Sequence, residues 1–403
     1  MTRRVVVTGL GIITSHGVDR FENLKALNEG RDSISAITLF DATSCRGSTG
    51  GEARDFSFDI HLKRLKASRL DRASKLLLTA FEEAKEAASF STEDMECPVL
   101  LGTTLGGMIS GMKYHRAGLA NGFEHVNPAP LADYRAHTHA RNLMKEYGLS
   151  GEALTFSDAC TSGANAIGRA FRMVRSGGAD IAVAGGYDTM CEFTFAGFNS
   201  LQAVTVSKCR PFDRDRDGLA LGEGTAVLIL EEMEYAKRRE AAPIVEIIGY
   251  ASTSDAYHIT RPSPDGDGAR RAMEGALDDA GIDASKVDYI NAHGTGTVYN
   301  DLMEARAINA IFKKGTPVSS TKAMVGHLLG GAGAVEAVFT IMAIKEGFLP
   351  PNINLRDIDP EIDLFIPTEP DCRAVVGTAL SNSFGFGGAN ASLIFQALSE
   401  GSA

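Results

Sequence analysis

Two stretches of this chain are built on one plan. Residues 155–181 read TFSDACTSGANAIGRAFRMVRSGGADI, and residues 318–347 read VSSTKAMVGHLLGGAGAVEAVFTIMAIKEG. Each runs from a strand through a loop with reactive side chains into a helix crowded at its start with Gly and Ala. Each then stops at basic residues or glycine. Small residues at a helix start let that helix approach another backbone closely. The plan predicts a duplicated chain whose halves meet through these helices. The seam falls near KRREAAPIVE, dividing the chain into residues 1–241 and 242–403. With 403 residues, 44% of them hydrophobic, both halves can bury a core.

Between these landmarks the pattern alternates. RRVVVTGL, CPVLLGTT, ADIAVAGG, TAVLILEE, PIVEIIGYAS, VDYINAHG, TPVSST and ASLIFQAL read as strands. Helical periodicity runs through Asp71–Ala88, Ala164–Arg175, Gly268–Ala280, Asp301–Phe312 and Ala332–Lys345. Such alternation predicts parallel pairing in covered sheets. The opening MTRRVVVTGLGIITS has the outline of a signal peptide, but Gly9 and Gly11 interrupt it, so Val5–Thr8 reads as a buried strand. No run of apolar residues is long enough to cross a membrane. Six scattered cysteines without a secretory signal imply reduced thiols and a cytoplasmic setting, and none has metal-site spacing. A net charge of −11 argues against nucleic-acid or membrane-surface binding.

The reactive groups fall in loops that follow strands, where ligand sites of parallel sheets lie. Cys160 stands where a strand ends and a helix begins, and a helix N-terminus lowers a thiol's pKa. Alone, it is equally a buried structural cysteine. Asp158, two residues earlier, must point away or pair with a cation. NAHGTGTVYND carries His293, and SSTKAMVGHLLGG carries Lys322 and His327. Either histidine alone suits a structural role; three such loops together suit a site. SNSFGFGGAN is either a glycine turn feeding a strand or a mobile loop whose backbone N–H groups face an oxyanion, with Phe386 as a flap.

Together, DACTSG, AHGTGT, STKAMVGHLLGGAGAVEA, SNSFGFGGAN, DAYHIT and RPFDRDRDGLALGEGTAVLILEE strongly resemble the elongating β-ketoacyl-acyl-carrier-protein synthases of the thiolase-like superfamily. The resemblance spans nearly the whole chain. It implies an α/β fold, the duplicated thiolase-like α-β-α-β-α sandwich, and a decarboxylative Claisen condensation. Cys160 would carry the acyl chain, and His293 and His327 would decarboxylate a malonyl thioester and hold the enolate. Lys322 would organise the histidine loops. Cys160, Phe386 and Gly387 would form the oxyanion hole and gate, and Leu105 and Phe386 the acyl pocket. No cofactor is implied beyond the 4′-phosphopantetheine arm of a partner, an acidic acyl carrier protein. The family also holds a monovalent ion near residues matching Asn291, Glu336 and Asn382; no metal is assigned here.

Other signals are weaker. DRDRDG, at residues 213–218, resembles a calcium loop, but position twelve is Gly224 rather than glutamate, which favours salt-bridged loop structure. His137 and His139 form HTH without a third ligand and read as a solvated helix. Lys63, Arg64, Lys66 and Arg69, continuing to Arg72 and Lys75, form a basic run. It is either a solvated face or, as the resemblance implies, the dock for the carrier. The stretch NPAPLADYRAHTHARNLMKEYG is more polar than its family counterpart, and Arg261 adds a charge where the pattern is neutral. These departures open a specialised acyl substrate, and a heterodimer with a related subunit beside the homodimer. Two other functions stand behind the synthase: a chain-length-factor-like subunit and a thioester hydrolase.

Overall fold

The structure, a computed structural model, describes residues 3–92 and 95–398. Ten strands form its main sheet: β1 (Val5–Ile13), β2 (Val99–Gly102), β3 (Ala153–Phe156), β4 (Ile181–Asp188), β5 (Gly224–Glu232), β6 (Val245–Ser254), β7 (Tyr289–Asn291), β8 (Val318–Ser319), β9 (Thr378–Gly385) and β10 (Ala389–Gln396). Their spatial order is β8-β7-β9-β10-β6-β1-β5-β4-β2-β3. Numbered within its own half, each set of five follows the same order, 3-2-4-5-1. Strand directions repeat too. β2 pairs parallel with β3 and β4, as β7 does with β8 and β9; the remaining pairs in both halves are antiparallel. The halves join where β1 meets β6.

The sheet is therefore mixed, where alternation alone predicted parallel pairing. The reason is plain between β9 and β10, which are separated by only Phe386–Gly388. A connection that short cannot cross over, so the pair must be antiparallel.

Six helices build the layers: α1 (Arg72–Ala87), α2 (His137–Tyr147), α3 (Ser162–Arg175), α4 (Asp267–Ala280), α5 (Val298–Ile311) and α6 (Ala332–Glu346). Helices α1 and α2 cover the outer face of the first half-sheet, and α4, backed by α5, covers that of the second. Helices α3 and α6 lie between, touching strands of both halves and each other. This is the expected α-β-α-β-α sandwich. Aliphatic and aromatic side chains of both halves, among them Ile167, Phe171, Leu230, Val335, Phe339 and Phe395, pack into one buried cluster in that middle layer.

The small residues do what their placement implied. A Cβ on Gly163 would stand 2.9 Å from Ala334 N, and one on Gly333 would stand 2.8 Å from Ala164 N. The central helices thus touch backbone to backbone at their N-termini, the ends that carry the site. Gly333→Val should destabilise the fold by about 3 kcal/mol or more, because overpacking here pushes on main chain rather than a rotatable side chain. Chemical denaturation of the purified variant measures it. A cost below about 1 kcal/mol would mean the contact is loose.

One surface reading changes and another holds. His139 is buried, with Nδ1 2.8 Å from Ser74 Oγ and its ring 5.2 Å from that of Tyr187, so only His137 is solvated. The DRDRDG loop is knitted by its own acids, as expected. Asp213 accepts the N–H groups of Asp215, Arg356 and Asp357, and buried Arg216 pairs with Asp301 and Asp359.

Candidate active site

Cys160 lies in a single tight turn, Ala159–Thr161, that leads from β3 into α3. Ala159 has φ +54°, a left-handed conformation that a side chain resists. Leu329 adopts the same φ in the corresponding turn of the second half. These strained turns face each other beneath the Gly/Ala helix starts. Gly385, at the end of β9, passes so close that a Cβ there would stand 3.2 Å from Cys160 N.

The three loops converge as the motifs implied. The Cys160 thiol and one nitrogen from each of His293 and His327 lie within 4.8 Å of one another. The imidazoles meet edge to face at 5.3 Å. All three residues are buried, as is Lys322, but Cys160 and both histidines line a cavity of about 470 Å³ that opens to solvent past Phe386.

Hydrogen bonds decide the histidine tautomers. His327 Nδ1 accepts the N–H of Leu329 at 3.0 Å, and His293 Nδ1 faces the Lys322 ammonium at 3.2 Å. Each neutral ring therefore carries its proton on Nε2. Burial, reinforced by Lys322, holds both imidazoles well below the ordinary pKa, so they are neutral donors at physiological pH. Lys322 also donates to the His293 carbonyl at 2.6 Å and forms a buried ion pair with Glu336.

The thiol departs from expectation. Burial pushes Cys160 up to about 11, outweighing Lys322 and the backbone N–H groups of Phe386 and of Cys160 itself. Those two N–H groups still act to lower it, as the donors of an oxyanion hole would. Gly387 does not join them. Its N–H is spent on the Ile259 carbonyl at 2.8 Å, and its φ of +83° serves the turn. The Phe386 ring stacks on Phe198 at 5.7 Å. Leu105 does not line the cavity; it packs behind Phe198 with Met190, Phe195 and Leu329.

Asp158 points away from Sγ, its carboxylate taken by the Asn165 amide rather than by a cation. Of the residues singled out for a monovalent ion, Asn291 Oδ1 and Glu336 Oε2 are buried without a partner, while Asn382 is engaged by Ser392 and Glu304. Those free acceptors suit such a cation. Lys63, Arg64, Lys66 and Arg69 are exposed, and none pairs with a carboxylate among the described residues. Arg72 leaves the run, because it binds the buried Glu223 carboxylate.

Sequence reading missed the residues that hold the loops. Glu304 accepts the N–H groups of His293 and Gly294, and Asp301 those of Thr295, Gly296 and Phe212. Their spacing on α5 put both on the face toward a glycine turn rich in unpaired donors, which was the available signal. Asp188 does the same for Thr104, Leu105 and Gly330.

These buried groups set a pH dependence. Burial lowers His16 and His139 to about 4 and holds His293 and His327 far down, while it raises Glu304 and Glu336 to about 7. A buried neutral histidine loses its stability advantage as pH falls below 6.5, because the unfolded chain then takes the proton. Six carboxyls that burial raises, Glu83, Asp133, Asp188, Asp301, Glu304 and Glu336, work in the opposite direction. The histidine contribution is therefore read by difference: the stability that wild type holds over His139→Asn should grow with pH from about 4.5 to 6.5. Thermal unfolding of both proteins across that range tests it; an advantage that shrinks as pH rises would contradict the assignment.

The chain is similar to known proteins along nearly its whole length. Residues 2–236 match the family model "Beta-ketoacyl synthase, N-terminal domain", and residues 244–356 match "Beta-ketoacyl synthase, C-terminal domain". The chain is 42% identical to 3-oxoacyl-[acyl-carrier-protein] synthase 2 of Synechocystis, over 98% of both chains. It is 36% identical to the Staphylococcus aureus protein of that name, again over 98% of both. Among solved structures, the ishigamide ketosynthase/chain length factor superposes with TM-score 0.94 at 33% identity, covering 99% of this chain and 100% of that one. A type II PKS acyl-carrier protein in complex with its ketosynthase gives 0.88 at 30% identity, covering 99% and 100%. No helix among the described residues is long and apolar enough to cross a membrane. A thiol and two neutral imidazoles meeting where two like halves join is thus the centre of a chain that belongs to the β-ketoacyl synthase family.

Proposed function

We propose that this β-ketoacyl synthase, an acyltransferase that forms carbon–carbon bonds, works through Cys160, His293, His327 and Lys322. The observation that carries the reading is the pair of Nε2–H donors converging with the Cys160 thiol. In the first half-reaction, Cys160 Sγ attacks an acyl thioester on a carrier arm. The N–H groups of Cys160 and Phe386 hold the oxyanion, the acyl–sulfur bond to the arm breaks, and the arm's thiolate takes the proton that Cys160 releases. Because the buried thiol sits near 11, little thiolate exists before substrate arrives. Lys322 and the two N–H groups reduce the cost of burial without cancelling it.

In the second half-reaction a malonyl thioester loses CO₂. Its electron pair becomes an enolate, whose oxygen accepts hydrogen bonds from His293 and His327. The enolate carbon attacks the Cys160 thioester, a carbon–carbon bond forms, and the Cys160 thiolate departs and is reprotonated. Neutral donors suit this step, since they stabilise the enolate without protonating its carbon.

We assign the acyl chain to the apolar end of the cavity at Phe198 and Phe386, bordered by the packed cluster of Leu105, Phe195 and Leu329. Lys63, Arg64, Lys66 and Arg69 are the dock we assign to an acidic acyl carrier protein, supported by their exposure and lack of ion-pair partners. We keep the division into residues 1–241 and 242–403, supported by the repeated strand order. We read the protein as a homodimer, with a related subunit as the alternative partner, since one neighbour is named a ketosynthase/chain length factor. The reaction is tested by incubating the protein with acyl- and malonyl-carrier thioesters. A 3-oxoacyl product is expected, whereas free fatty acid alone would favour a hydrolase, and no turnover a chain-length-factor-like role.

A further inference from the structure

The mouth of the catalytic cavity carries a cation that the reaction scheme leaves unused. Arg261 lines that mouth together with Thr260, Thr297, Val298 and Tyr299, while Cys160 lies buried at the inner end. Its guanidinium stands 5.2 Å from the centre of the Tyr299 ring. Stacking on an aromatic face leaves the in-plane N–H groups of the fork free to bind an anion. The turn beneath is tied down, because His258 Nδ1 accepts the N–H groups of Thr260 at 3.1 Å and Arg261 at 3.2 Å. No carboxylate pairs with Arg261 among the described residues. The two acids on the cavity wall are already engaged. Asp255 holds Ser263 N and Asn390 Nδ2, and Asp217 holds Thr205 Oγ1 and Val206 N.

Any substrate that reaches Cys160 must thread this mouth as a thioester on an extended arm. The far end of a phosphopantetheine arm is a phosphate, and with the thioester at buried Cys160 that end belongs at the exposed mouth. We propose that Arg261, positioned by Tyr299, binds the phosphate of the incoming arm at the cavity mouth and so selects phosphorylated thioester donors. The inference rests on the acyl-transfer reading and adds a specificity residue to it. A carboxylate of the carrier protein is the other anion within reach of such a cation, and small donors without any protein separate the two.

The experiment compares acyl transfer to the wild-type protein from two small thioesters, hexanoyl-phosphopantetheine and hexanoyl-pantetheine, which differ only in the phosphate. The rate of adduct formation, followed by intact mass, gives kcat/KM for each. The wild-type protein should prefer the phosphorylated donor by about fivefold at low salt, the size expected of one exposed, charge-assisted contact. Arg261→Ala should reduce that ratio to near one, and Arg261→Lys should keep part of it. High salt should erode the wild-type preference. Equal ratios in wild type and Arg261→Ala would overturn the proposal while leaving acyl transfer intact. So would an Arg261 effect that appears only with carrier-bound donors, which would point to a carrier carboxylate. Absence of an adduct from every donor, carrier-bound ones included, would instead remove the acyl-transfer reading and this inference with it.

Discussion

His327→Ala should lower condensation by about a hundred- to a thousandfold, the usual cost of deleting one donor to a developing oxyanion. The same variant should still take up an acyl group on Cys160, because in the proposed mechanism the oxyanion of acylation is held by the N–H groups of Cys160 and Phe386. His293→Ala should behave alike. The double variant should lose much less than the product of the two single losses, since both donors serve one enolate oxygen. Gln in place of either histidine retains an N–H donor and should recover part of the rate. Separate assays of acyl uptake and of malonyl decarboxylation distinguish these effects. If His327→Ala abolished acyl uptake and decarboxylation equally, the histidine would be acting on the thiol instead. Because both rings are held neutral, neither should contribute a loss of kcat between pH 8 and pH 6.5.

Lys322→Ala should cost about 3 to 5 kcal/mol of stability at pH 8, the penalty for leaving a buried charge without its partner. The uncompensated charge is Glu336, as fully enclosed as Lys322 itself. Burial already raises Glu336 to about 7, and loss of Lys322 raises it further. A carboxyl with a raised folded pKa costs stability as pH climbs above its unfolded value, so the damage should shrink toward pH 5. Lys322→Met with Glu336→Gln removes both charges and should recover most of the stability but not the condensation rate. Denaturant titrations of the three proteins at pH 5 and pH 8 check this. A single variant as stable as wild type at pH 8 would show that Lys322 and Glu336 do not act as a pair.

How far the chain could be read without coordinates depended on what kind of physics each feature obeys. Five long helices were legible because period and caps are local, while a sixth of similar length, Met108–Asn121, was not read. Asp71, for example, caps α1 by accepting the N–H of Ala73. The contact of the Gly/Ala helices was legible because only small side chains permit it. Strand β9 was missed, since its run Ser381–Ser383 is polar yet entirely buried. Such residues read as a loop until partners such as Ser392 and Glu304 are known. The antiparallel pairing escaped for a related reason, because direction follows from connection length rather than from composition.

The candidate site shows the same division. Cys160, His293, Lys322 and His327 could be named from their motifs, but the state of each depends on neighbours far away in sequence. The thiol rises because its surroundings exclude water, which outweighs the helix end that reads so clearly in the sequence. His139 looked solvated because its contacts, Ser74 and Tyr187, come from other elements. Gly387 looked like an oxyanion donor until its N–H was found on Ile259, a residue of the mouth loop.

The proposed reaction turns on covalent capture of an acyl group by Cys160, and intact-mass spectrometry reads that event. Wild type and Cys160→Ala are incubated with a panel of acyl-carrier thioesters, then chased with malonyl-carrier. The expected result is an acyl mass gain on wild type alone, lost in the chase as a 3-oxoacyl-carrier appears. An equal gain on Cys160→Ala would contradict the account, as would an adduct that the chase releases only as free acid.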